Sequence, residues 1–111
     1  MNKFLKNIDY EKIVDLGGLV EYHEGQVVSR TLVQNNALSI TLFSFDKGEE
    51  ISTHTSKGDA LVYLLDGSAK ITIGDNEYSL KAGESIVMPS GIPHALKAED
   101  CFKMLLIVVF V

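Results

Sequence analysis

From Val27 onward the chain reads as a series of short apolar and β-branched runs punctuated by turn residues. Val27 to Gln34 and Leu38 to Phe45 are rich in Val, Thr, Ile and Phe and are separated by Asn35-Asn36, a strong turn pair. Ala60 to Leu65 and Ser68 to Ile73 flank Asp66-Gly67, the best hairpin signal in the sequence. In the second of these runs Ala69, Ile71 and Ile73 alternate with Ser68, Lys70 and Thr72, as in a strand with one buried face. Gly74-Asp75-Asn76 turns the chain into Glu77 to Lys81. Further strands are predicted at Ser85 to Met88, at His94 to Lys97 and from Phe102 to the end. Many short strands with closely spaced turn signals predict an all-β sandwich or closed barrel, and a jelly-roll topology fits.

The N-terminal stretch, residues 1–26, is a leading segment ahead of a barrel over residues 27–111. Asp9 is placed to cap a short helix over Tyr10 to Leu16, stopped by Gly17-Gly18, while Ile13 and Val14 fit a strand almost as well. With 111 residues the chain has room for one domain. Apolar residues at 46% and charged residues at 23% give the balance of an ordinary globular protein. The net charge of −5, with no run of Lys or Arg, argues against nucleic acid or an anionic membrane as partner, because both need a basic footprint. Cys101, the only cysteine, permits no intrachain disulfide, and the negative charges of Glu99-Asp100 disfavour its thiolate. Met1 to Tyr10 lacks the apolar core of a signal peptide, and Met104 to Val111 is too short to span a bilayer as a helix. A cytoplasmic location is the expectation.

Two glycine-anchored segments carry the chemistry. The first is GEEISTHTSKGDALVYLLDG, from Gly48 to Gly67, and the second is GESIVMPSGIPHALKA, from Gly83 to Ala98. Gly67 is expected to supply the positive φ of a tight turn, Gly83 and Gly91 to let the chain reverse at corners, and Pro89 to end a strand. Together the segments resemble the two cupin motifs, G-x5-H-x-H-x3,4-E-x6-G and G-x5-P-x-G-x2-H-x3-N. The resemblance covers about half the chain, from Asp46 to Ala98, and implies a cupin double-stranded β-helix, a jelly-roll barrel in a single domain.

Typical cupins hold a divalent metal through two histidines and a carboxylate of the first motif and the histidine of the second. Here His54 matches the first histidine and His94 the last. Ser56 stands at the second histidine's position, Ala60 at the carboxylate's, and Ala98 at the Asn that ends the second motif. Transition-metal sites draw three or four protein ligands in fixed geometry, and a hydroxyl or a methyl group does not replace them. Asp59 neighbours the lost carboxylate, but strand alternation should turn it to the opposite face unless a bulge intervenes. A divalent Fe, Mn, Ni or Zn ion at His54 and His94 is therefore expected to be weakly held and of low occupancy.

The resemblance implies a small-molecule pocket in the barrel mouth built on His54, Ser56 and His94, with metal optional. The alternatives are a metal-assisted oxygenase, isomerase or lyase in which substrate completes the shell, or a metal-free enzyme using a histidine as general base. Thr53 and Thr55 offer further hydroxyls beside His54. Met88 and Met104 are pocket or core filler. His23 has no motif around it and is expected on the surface, with the mouth as the alternative. The run from Met104 to Val111 is apolar on every residue, so one strand face is expected in the barrel and the other against a second copy, in a two-fold homodimer.

Overall fold

The computed structural model describes residues 3–111 and shows eight strands. They are β1 (Val27–Gln34), β2 (Leu38–Phe45), β3 (Glu50–His54), β4 (Asp59–Ile73), β5 (Asn76–Lys81), β6 (Ser85–Met88), β7 (His94–Lys97) and β8 (Phe102–Val109). All pairings are antiparallel. One face of the barrel runs β1-β2-β8-β4-β6, and the other runs β3-β7-β4-β5. The strands predicted from alternation all form.

The Asp66-Gly67 hairpin does not form. β4 continues straight through it: Ser68 to Ile73 leave the first face and pair with β5 and β7 in the second. Leu65 is an extra residue in the ladder, since Leu64 pairs with Met104 and Asp66 with Lys103. The bulge shifts the buried set from Ala60, Val62 and Leu64 to Ala69 and Ile71, so both halves of β4 face the same core. Gly67 does have a positive φ of 75°. Its deeper constraint is spatial, because a Cβ there would lie 1.8 Å from the carbonyl oxygen of Cys101. A dipeptide suited to a tight turn is thus used to bend one long strand between two sheets. The hairpin proper is at Gly74-Asp75, with Ile73 opposite Asn76.

The N-terminal expectation also changes. Leu16–Leu19 forms a 3-10 turn with Asp15 as its cap, and the amide of Gly17 donates to Asp15 Oδ1 at 3.2 Å. Gly17 and Gly18 lie inside the turn rather than ending a helix. Asp9 instead meets Lys12 on the surface at 3.5 Å. Glu11 has a φ of 54°, and a left-handed residue interrupts any right-handed helix through Tyr10–Leu16.

Two cores follow from this architecture. The main one lies between the sheets, where the rings of Phe45 and Phe102 stack with centroids 4.3 Å apart. Burying such rings stabilises the fold by roughly 1.5–3 kcal/mol each. The second lies outside the first sheet, where the N-terminal segment lays Val20, Leu16 and Leu19 over Leu42, Leu32 and Leu105. Polar fastenings hold that segment down. Arg30 donates to the carbonyls of Asn7 (2.6 Å) and Leu19 (3.2 Å), and the Tyr22 hydroxyl donates to Asp66 at 2.6 Å. Burial and the Asp66 carboxylate both push the Tyr22 phenol well above its usual range.

β8 is consequently an interior strand, between β2 and β4. Its outward residue Leu105 is covered by the chain's own N-terminal segment, which accounts for part of the apolar run without a second copy.

Candidate functional site

The two motif histidines meet at one end of the barrel. β3 and β7 pair with His54 directly opposite His94, and the ladder slips between Ile51 and His54. Ile51 faces Leu96, so regular alternation would turn Thr53 inward; the inserted residue delivers His54 to the inner face instead. This bulge is what brings the rings together. Their centroids are 4.3 Å apart at 72°, and the two Nε2 atoms are 3.1 Å apart.

The other ring nitrogens set the chemistry. His54 Nδ1 lies 2.9 Å from the Ser52 carbonyl and His94 Nδ1 lies 3.2 Å from that of Ile92. A carbonyl oxygen only accepts, so each Nδ1 carries the hydrogen and each Nε2 presents a lone pair. Two lone pairs at this distance repel unless a proton, a donor group or a metal ion lies between them. His94 is buried while His54 is exposed at the rim. Burial pushes the His94 imidazole below its ordinary range, against a smaller upward pull from the Ile92 carbonyl, and the His54 charge lowers it further. His94 therefore keeps its neutral form to lower pH than a free imidazole does.

A cavity of about 230 Å³ opens beside the histidines. Ser56, Thr55 and Ala60 line it together with apolar side chains, among them Ile51, Met88, Met104 and Leu106. Thr53, expected from the sequence to offer a hydroxyl beside His54, instead lines a groove on the outer face of the second sheet. The Ser56 hydroxyl accepts from the Gly58 amide at 3.2 Å. Asp59 points away, as alternation requires, and accepts from the Ser90 amide at 2.8 Å. With Ser90 Oγ donating to the Lys57 carbonyl and the Gly91 amide to that of Ser56, it ties the two motif loops together at the rim. His23 is exposed on a separate groove beside β1, with Asn7 and Arg30, outside this cavity.

The family model described as "Cupin domain" matches residues 41–110, spanning both histidines and nearly all of the barrel from β2 to β8. The chain is a cupin. Its structure superposes with a TM-score of 0.95 on a conserved protein of unknown function from Streptococcus pyogenes, at 50% identity over 97% of this chain and 95% of that one. A cupin superfamily protein from Desulfitobacterium hafniense gives a TM-score of 0.92 at 36% identity, covering 96% and 98% of the two chains. A cupin 2 conserved barrel domain protein from Leptotrichia buccalis is 47% identical with a TM-score of 0.85, and there the match covers 86% of this cupin and 47% of the longer chain. No relative among curated proteins matches it.

Cupins often bind transition metals, and the donors present here meet that requirement only in part. Among the described residues no three His, Cys, Asp or Glu side chains converge to hold an ion. At metal–imidazole distances of about 2.0–2.1 Å, nitrogens 3.1 Å apart would subtend about 95–100° at a shared ion. The pair thus suits two neighbouring coordination positions, and Ser56 and Ala60 leave the others unfilled by nitrogen or carboxylate.

Proposed function

We propose that this cupin binds a small molecule in the barrel mouth, its apolar body against Met88, Met104 and Leu106 and its polar end against His54, His94 and Ser56. A divalent metal is optional in this reading and weakly held. The observation that carries it is the convergence of two Nε2 lone pairs on one otherwise mostly apolar cavity. Such a site suits a ligand whose polar end donates a hydrogen bond. The volume of about 230 Å³ lies below the roughly 300–1,000 Å³ of pockets for drug-sized ligands, so the ligand is metabolite-sized or smaller. The neighbouring orientation of the Nε2 atoms supports a second reading, a metal-dependent oxygenase, isomerase or lyase. In that case the substrate itself must supply the missing coordination.

The experiment is elemental analysis of protein purified without an affinity tag, followed by melting with and without a chelator. Sub-stoichiometric divalent metal and a melting temperature unchanged within about 2 °C are expected, because an apolar barrel core folds without the ion, unlike a small zinc domain. Stoichiometric divalent metal, with a melting temperature about 10 °C lower after chelation, would overturn the weak-metal reading in favour of the enzyme.

A further inference from the structure

The cavity's remaining donors are all uncharged, and two of them are sulfur. Met88 and Met104 line it with the two histidines and are 2% and 1% exposed. Met88 is the better placed. It stands directly opposite Ala60 in the β4–β6 ladder, at the position where the family's motif carries its carboxylate. Cross-strand partners share a face with Cβ atoms about 5 Å apart. The unbranched Met88 side chain therefore faces, beside a single methyl group, the space a glutamate at position 60 would fill.

Such a donor set discriminates between ions on two grounds. Thioethers and imidazoles suit soft ions such as Cu(I), whereas Mn and Mg prefer carboxylate oxygens, and the oxygens on this cavity's side chains are only the hydroxyls of Ser56 and Thr55. Uncharged donors also leave the ion's own charge uncompensated in an apolar wall. The desolvation cost rises with the square of that charge, so a monovalent ion is held at far lower cost than a divalent one. The histidines are already oriented as metal ligands are, with each Nδ1 hydrogen engaged by a backbone carbonyl and each Nε2 facing inward.

We propose that His54, His94 and Met88 form a soft-metal site that takes Cu(I) in preference to divalent ions. This rests on the reading that the two imidazoles face the cavity's ligand, and adds to it a third donor and an ion class.

The test is anaerobic titration of the full chain with Cu(I) against a competing chromophoric chelator, with Zn(II) and Mn(II) in parallel. A Cys101→Ser background removes the only thiol. One Cu(I) per chain is expected, bound at least tenfold more tightly than Zn(II), with a sulfur neighbour in the copper X-ray absorption spectrum. Met88→Leu, which conserves volume, should weaken Cu(I) by about tenfold or more, remove the sulfur signal and leave Zn(II) within about twofold. Zn(II) binding as tightly as Cu(I), or a wild-type spectrum without sulfur, would sink the proposal. If His54→Ala loses Cu(I) while Met88→Leu keeps it, only the thioether assignment fails. If His54→Ala also keeps it, the ion lies elsewhere, and the reading of the cavity's polar end falls with the proposal.

Discussion

His54 and His94 sit opposite one another with their Nδ1 hydrogens committed to backbone carbonyls, and this arrangement gives Ser56 and Ala60 their meaning. Both line the cavity at the positions where the family's motif has its other two first-motif ligands. Neither is displaced from the site; each is simply a residue that cannot coordinate a divalent ion well. Ser56→His combined with Ala60→Glu should therefore raise Zn(II) or Mn(II) affinity by at least about a hundredfold, as ligand count rises from two to four. Isothermal titration of the double variant checks this, and unchanged affinity would mean that the motif positions do not carry those side chains to the ion. The identities of these residues were legible from motif spacing. Their hydrogen-bond partners were not, because the carbonyls of Ser52 and Ile92 lie within two residues of each ring only through the local backbone path.

The bulges in β3 and β4 decide which side chains face the core, and neither was visible in the alternation pattern. In β3 the inserted residue turns His54 rather than Thr53 toward the core. In β4 the extra residue Leu65 resets the buried face where the strand passes from one sheet to the other. Asp66-Gly67 carries the composition of a tight turn, and local propensity cannot tell a reversal from a bend. Carbonyl contact decides it: Gly67 passes so close to Cys101 that no side chain fits. Gly67→Ala combines this clash with a positive φ and should destabilise the protein by about 3 kcal/mol or more, read as a lower midpoint in urea denaturation. The same change at Gly83, where φ is 90° but no atom lies within 4 Å, should cost less, about 1 kcal/mol. Equal losses at the two sites would refute the close-approach account.

The assembled barrel has two unlike outer faces. Across the second sheet the outward positions are polar, with Glu50, Ser52 and Lys97 exposed and Lys70 and Thr72 half-buried beside them. Across the first, Ile40, Ile107, Leu61 and Val87 stand in one cross-strand row over β2, β8, β4 and β6. The N-terminal segment covers Leu105 and Leu42 and leaves the row's far end open, with Leu61 38% and Val87 49% exposed. We propose that a second copy packs on this face about a two-fold axis, since a self-complementary apolar row satisfies an isologous interface. Leu61→Glu with Val87→Glu should convert a dimer into a folded monomer in sedimentation at micromolar concentration. A wild-type monomer under those conditions would remove the proposal.

Much of this was set by local chemistry. Period-two alternation placed the strands, and the two glycine-anchored segments identified the barrel, its histidine pair and its missing ligands, because those signals lie within short stretches of chain. Other features depended on distant segments meeting. The close pass of Gly67 by Cys101 makes one strand of an apparent hairpin. Pairing with β7 determines which residue of β3 turns inward. The register of β4 with β6 puts Met88 across from Ala60. Each of these is a contact between residues far apart in sequence, and no local pattern encodes the distance between them.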